Sequence, residues 1–123
     1  MSFEFNNNTP IYLQIIEHIK TMIISKKYLP NQKLPSVREL SLFFEVNPNT
    51  IQKALSELES MGLIYTERTN GKFVTENEKI IEKVTSETLQ KMIDSFYESM
   101  EKIGLDKKQV LNLLNKKEDL WKF

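Results

Sequence analysis

Residues 33–58 constrain the fold more than any other stretch, because two helix starts lie close together there. The first is Ser36, whose hydroxyl can accept a hydrogen bond from the backbone of Glu39 while the Glu39 carboxylate bonds back, which is the reciprocal capping box. The second is Asn47-Pro48, where asparagine caps the free N–H groups and proline takes the first helical position. Only a tight turn fits between the two helices, so the stretch predicts a helix-turn-helix.

The second of these helices has one apolar and one polar face. Its apolar side chains recur at helical spacing and predict a buried stripe of Ile51, Ala54, Leu55 and Leu58. The opposite face carries Asn49, Thr50, Gln52, Lys53 and Ser56. Such polar groups near a helix N-terminus suit phosphate oxygens and base edges in a DNA major groove. Many small helical proteins that never bind nucleic acid share this pattern, so the spacing alone leaves both interpretations open.

A β-hairpin is predicted directly after the second helix, which Gly62 ends. Residues 63–68 are rich in β-formers, residues 73–75 return, and the Asn70-Gly71 pair between them favours a two-residue type I′ turn. Residues 33–34 are expected to add an edge strand. The hairpin either only seals the core or acts as a wing. The wing is favoured because Arg68, Asn70 and Lys72 cluster at the tip, where they would reach a DNA backbone or minor groove.

The C-terminal third has helical periodicity again, first over about 25 residues from Glu78 and then in a shorter helix capped by Asp106. The long helix has more apolar surface than one small domain can cover, so we expect a helical hairpin that pairs with a second copy. The expected dimerisation residues are Ile81, Val84, Leu89, Met92, Phe96, Met100, Leu111 and Leu114. The alternative is a flap folded back onto the first helix. Trp121 and Phe123 in the tail could pin it to a neighbour.

Composition excludes several classes of function. The 123 residues suffice for one domain and a small appendage. The chain has no cysteine and one histidine, His18, predicted to be solvated on the polar face of the first helix; no paired carboxylates or glycine-rich phosphate loop accompany it. We therefore expect no enzyme, cofactor or metal site. Residues 1–8 predict a mobile arm. Without a leader or an apolar run of about 20 residues, a cytoplasmic protein with no membrane segment is expected.

Charge is balanced overall but not locally. The chain has 17 basic and 17 acidic side chains. Residues 26–53 hold five basic and two acidic side chains, so the excess lies where a groove contact is predicted. Because the excess is modest, we expect weak non-specific affinity for DNA and a shallow dependence on salt.

The helix-turn-helix stretch resembles the DNA-binding domain of the GntR family of bacterial transcription regulators. The matching residues are Leu34, Pro35, Ser36, Arg38, Leu40, Val46, Thr50, Ile51, Ala54, Leu55, Leu58 and Gly62. The variant VNPNTIQKAL and the short chain are most similar to the YtrA subfamily. Asn31 replaces the family's usual glycine, which asparagine can do because it accepts a left-handed conformation. Thr69 stands where the wing usually has a first glycine.

Together these observations predict a mainly α fold with a small β-hairpin. It consists of a winged helix-turn-helix domain over residues 1–76 and a helical dimerisation appendage over residues 77–123. We expect a repressor of transcription that binds double-stranded DNA as a homodimer on an inverted-repeat operator, with any small-molecule effector unknown. The expected DNA-binding residues are Ser36, Arg38, Asn47, Asn49, Thr50, Gln52, Lys53, Arg68, Asn70, Gly71 and Lys72. The competing functions are a winged-helix protein-interaction module and a non-specific chromosome-architectural DNA binder.

Overall fold

The structure, a computed structural model, describes residues 3–116 and has five helices and one two-stranded sheet in that range. The helices are α1 (Ile11–Ile24), α2 (Val37–Phe44), α3 (Pro48–Ser60), α4 (Glu78–Lys102) and α5 (Lys107–Asn115). The antiparallel strands are β1 (Ile64–Glu67) and β2 (Gly71–Val74). This order confirms the predicted winged helix-turn-helix with a C-terminal helical appendage. Trp121 and Phe123 lie outside the described residues.

The predicted helix starts are present. Ser36 accepts a hydrogen bond from the N–H of Glu39, and the Glu39 carboxylate accepts one from the N–H of Ser36, each at 3.1 Å. Asn47 caps α3 by accepting from the N–H of Asn49 at 2.7 Å, with Pro48 as the first helical residue. Each cap satisfies N–H groups that have no partner within the helix. The two starts therefore fix where α2 and α3 begin.

The apolar stripe of α3 forms the centre of the core. Its four predicted members are buried: Ile51, Ala54, Leu55 and Leu58. They pack in one cluster with the buried face of α1, which consists of Ile15, Ile16, Ile19 and Ile23. Burying each such side chain stabilises the fold by roughly 1.5–3 kcal/mol. Because this stripe holds α3 from one side only, the opposite face of the helix is left outside the core.

The hairpin has a different turn from the predicted one. Glu67 pairs with Gly71, so residues 68–70 form a three-residue loop. Asn70 has no positive φ, whereas Gly71 has a φ of 105°. The prediction of a two-residue Asn-Gly type I′ turn is therefore wrong, because that turn requires positive φ at both of its central residues.

The predicted edge strand is reduced to one bridge. Lys33 pairs antiparallel with Phe73, and the N–H of Leu34 donates to the carbonyl of Lys72 at 2.8 Å. Just before it, Asn31 has a φ of 65°, which confirms the left-handed conformation expected at this position. Its side-chain amide donates to Glu76 and accepts from the Tyr65 hydroxyl, contacts that glycine would lack. These bonds attach the segment before α2 to the hairpin.

The first residues of the chain pack against the core, contrary to the prediction of a mobile arm. Phe3 contacts Phe5, Phe44 and His18 edge-on at centroid distances of 4.7–5.0 Å. His18 is partly buried in this aromatic cluster, so the prediction of a solvated side chain is also wrong. Burial, followed by the charge of Lys27, lowers the pKa of His18 and favours its neutral form.

The chain divides into two compact units after Val84, inside α4. The first turns of α4 belong to the first unit, and Val84 is part of its core. The division into domains at residues 76 and 77 stays a prediction. In the second unit, α5 starts at a capping box formed by Asp106 and Gln109, as the sequence predicts for Asp106. No helix within residues 3–116 is long and apolar enough to cross a membrane.

Candidate nucleic-acid interface

An open cleft of about 420 Å³ lies between the segment before α2, the outer face of α3 and the hairpin. We call it the wing cleft. Of the eleven residues predicted to bind DNA, six line it: Ser36, Gln52, Arg68, Asn70, Gly71 and Lys72. The other five lie on α2 and on the N-terminal half of α3, outside the cleft: Arg38, Asn47, Asn49, Thr50 and Lys53. The fold thus brings the hairpin tip and one residue of α3 to the same opening.

The outer face of α3 presents two free amides. The side chains of Asn49 and Gln52 are exposed, and neither has a hydrogen-bond partner among the described residues. The amide oxygen of Asn47 is occupied by the helix cap, which leaves its NH₂ group as a donor. Thr50 is only partly exposed. An unpartnered amide has a donor and an acceptor side by side, the arrangement that can bind an adenine edge in the major groove.

Lys53 differs from its neighbours on the same face. Its ammonium nitrogen lies 3.8 Å from the centroid of the Tyr12 ring on α1. A cation over an aromatic ring at this distance is stabilised by about 0.5–1 kcal/mol when the site is exposed. Lys53 therefore points towards α1 instead of extending freely from the helix.

Lys72 is paired within the hairpin and α3. Its ammonium group donates to Glu59 Oε1 at 3.0 Å and to Thr66 Oγ1 at 2.8 Å, and the Thr66 hydroxyl donates to the same Glu59 oxygen at 2.6 Å. We call these three residues the Glu59 cluster. The hydrogen bonds from Thr66 and Lys72 lower the pKa of Glu59. Lys72 thus does not present the unpaired charge that the sequence predicts for the hairpin tip.

The remaining hairpin residues are closer to the predictions. Arg68 is exposed and has no salt bridge within the described part of the chain. Asn70 donates to the Glu67 carboxylate at 3.3 Å. At the other wall of the cleft, the Ser36 hydroxyl accepts from the helix backbone and still has its own proton to donate. A guanidinium, an amide and a hydroxyl donor therefore surround the opening.

Lys33 also lines the wing cleft, although the sequence analysis did not name it as a site residue. The signal that would have found it is the predicted edge strand. A residue paired with the second hairpin strand must lie beside the hairpin, and Lys33 is paired with Phe73.

The predicted dimerisation residues fall into two groups. Ile81 and Val84 are 4% and 8% exposed, so a second copy cannot reach them. Leu89, Met92 and Phe96 follow on α4 and are 52%, 63% and 40% exposed. Met100 is partly exposed, and Leu111 and Leu114 on α5 are exposed. The apolar surface predicted from the periodicity is therefore present only beyond Val84. We call the exposed residues of α4 and α5 the apolar stripe.

Metal binding finds no support in the acidic and histidine side chains. Within residues 3–116, no three or more such side chains lie together in a group that could hold a metal ion.

Comparisons with known proteins place this geometry in context. The sequence pattern described as "Bacterial regulatory proteins, gntR family" matches residues 11–74, from the start of α1 to the end of β2. The HTH-type transcriptional repressor YtrA of Bacillus subtilis is 40% identical over 101 residues, 77% of this chain and 78% of its own.

Solved structures are similar as well. A GntR family transcriptional regulator from Listeria monocytogenes has a TM-score of 0.82 and 39% identity, covering 91% of this chain and 98% of its own. The DNA-binding domain of AraR, crystallised in complex with operator ORX1, has a TM-score of 0.55 and 35% identity, covering 61% of this chain and 95% of its own.

Proposed function

Because the chain belongs to the gntR family of bacterial regulatory proteins, we propose that it is a repressor of transcription that binds a specific inverted-repeat operator as a homodimer. Its relative YtrA is a transcriptional repressor, and the AraR domain that resembles this chain was solved on operator DNA. Family and relatives are transcription regulators, so the chemistry we assign is binding and not catalysis. The proposal also places the protein in the cytoplasm, with the DNA it binds.

The observation that carries this proposal is the pair of unpartnered amides on α3. Gln52 and Asn49 face away from the buried Ile51 and Leu55, and Gln52 also lines the wing cleft. We assign both amides to base edges, where adenine is the best match for paired donor and acceptor groups. Thr50 would offer its methyl group to thymine or its hydroxyl to a phosphate.

The residues around these amides are assigned to the DNA backbone. Arg38 is exposed on α2 and would contact a phosphate or a guanine, while Arg68 and Asn70 would contact the backbone or the minor groove from the wing. Ser36 and Asn47 each retain a donor for a phosphate oxygen beside the helix starts. Phosphate contacts of this kind fix the position of the protein on the duplex, whereas the amides supply the sequence preference.

The apolar stripe supports the homodimer. Leu89, Met92 and Phe96 form a continuous helical face that remains exposed in the single chain. Contiguous apolar patches of this kind are rare on soluble monomers and mark interaction sites. A two-fold pair would present two copies of α3, and two-fold symmetry in the protein corresponds to an inverted repeat in the operator.

The test begins with selection of bound duplexes from a random library, from which an inverted repeat should emerge. The selected duplex and a scrambled one are then titrated with the wild type, with Gln52→Ala and with Asn49→Ala. Each substitution should weaken specific binding by roughly 1–3 kcal/mol per half-site contact. Binding to the scrambled duplex should stay the same, because an exposed Gln→Ala change on a helix costs little stability.

Gln90→Ala is the matched control, since Gln90 is an exposed glutamine on α4, far along the chain from the proposed interface. It should change neither affinity. An architectural protein would bind both duplexes equally, and a protein-interaction module would bind neither. If the wild type discriminates but neither variant of α3 alters the ratio of affinities, the base-reading residues have been assigned wrongly.

A further inference from the structure

Lys33 is held against the hairpin by its backbone. It forms an antiparallel bridge with Phe73, and on either side of it the N–H of Leu34 donates to Lys72 and the carbonyl of Gln32 accepts from Val74. The segment before α2 is therefore fixed beside β2. A side chain that starts from such a position has a defined place to go.

The Lys33 side chain extends to the tip of the hairpin. Its Cε lies 3.2 Å, and its ammonium nitrogen 4.0 Å, from the point that a Cβ atom on Gly71 would occupy. Gly71 also has a φ of 105°, a conformation that L side chains rarely adopt. Glycine thus lets the lysine lie against the turn and leaves its charge at the opening of the wing cleft.

The two lysines of this region differ in their partners. Lys72 is neutralised by Glu59 at 3.0 Å and is further bonded to Thr66. Lys33 is exposed, and within residues 3–116 it forms neither a salt bridge nor a side-chain hydrogen bond. A phosphate that approaches the cleft would gain an ion pair with Lys33 at no loss of an existing one. With Lys72 it would have to compete with a carboxylate already in place.

We propose that Lys33, and not Lys72, is the lysine that neutralises a phosphate of the DNA backbone at the wing cleft. In this proposal, which rests on the function proposed above, Lys72 braces the hairpin against α3 through Glu59. A phosphate contact adds affinity for every sequence equally, because the backbone is the same in all duplexes. It also releases counterions, so the logarithm of the binding constant falls with the logarithm of the salt concentration by about 0.9 per contact.

The experiment measures affinity for the selected and the scrambled duplex across a range of salt concentrations. Lys33→Gln should lower both affinities by the same factor and reduce the salt slope by about 0.9 for each contact, twice in a dimer. Lys33→Arg should restore the slope, because it restores the charge. Lys72→Gln should leave the slope unchanged, since its amide can still donate to Glu59 and the charge it removes was already neutralised. Lys79→Gln, at an exposed lysine on α4, is the matched control and should also leave it unchanged.

Each result has a definite meaning. An unchanged slope in Lys33→Gln, or a reduced slope in Lys72→Gln, overturns this inference while the proposed function stands. If the wild type binds no duplex at all, the proposed function fails and this inference fails with it. Urea unfolding of each variant separates a lost contact from a lost fold, because a folded variant keeps the wild-type transition.

Discussion

Phe96→Ala should weaken the proposed homodimer about a thousandfold. A fully buried aromatic side chain removes roughly 200 Å² from water, and Phe96 is 40% exposed in the single chain. A partner can therefore cover about 80 Å² of it, worth about 2 kcal/mol at 25 cal/mol/Å². A two-fold interface uses the residue twice, so the dimer should lose about 4 kcal/mol, or about three powers of ten in its dissociation constant.

Sedimentation velocity over a range of protein concentrations measures this constant, and circular dichroism checks that the helices remain. The operator affinity should fall together with dimerisation, because the two half-sites are then no longer bound as one unit. Leu42→Ala is the control: Leu42 is 71% exposed but lies on α2, outside the apolar stripe. A Phe96→Ala protein that dimerises as tightly as the wild type would refute this reasoning, and a Leu42→Ala monomer would move the interface to α2.

Three further substitutions test the local structure. Ser36→Ala removes the cap of α2 and should lower the free energy of unfolding by about 1 kcal/mol in urea titrations, whereas Ser56→Ala on α3 should not. Gly62→Ala should cost about 1–2 kcal/mol in the same assay, because Gly62 has a φ of 80° and the new Cβ would lie 3.1 Å from Ile80. Because the pKa of Glu59 is lowered from 4.5, its stabilising contribution is complete above pH 4.5 and is lost as the pH falls through the folded value. Acid unfolding of Glu59→Gln should lack this component; a profile like that of the wild type would exclude it.

The features that the sequence predicts well depend on residues close together in the chain. The caps at Ser36 and Asn47 are each completed within three residues, and the stripe from Ile51 to Leu58 lies on one helix. The family pattern covers the same segment. For that reason the helix-turn-helix and the outward position of Gln52 could be predicted before any packing was known.

The features that the sequence does not predict depend on residues brought together by packing. Lys72 and Glu59 belong to a strand and a helix, and neither residue carries a local signal that the other will be its partner. His18 is covered by Phe3 only because the first residues fold back onto α1. The hairpin turn depends on the pairing of Glu67 with Gly71, so the local preference of Asn-Gly did not decide it.

The contact of Lys53 with Tyr12 makes the positions on the outer face of α3 unequal for protein design. Side chains at 49 and 52 can be exchanged without disturbing any contact that holds the helix, so a library aimed at new operators would vary these two. Position 53 should remain lysine or become arginine, the two side chains that place a cation over the ring of α1. A designer who randomised all three would confuse loss of helix attachment with a change of base preference.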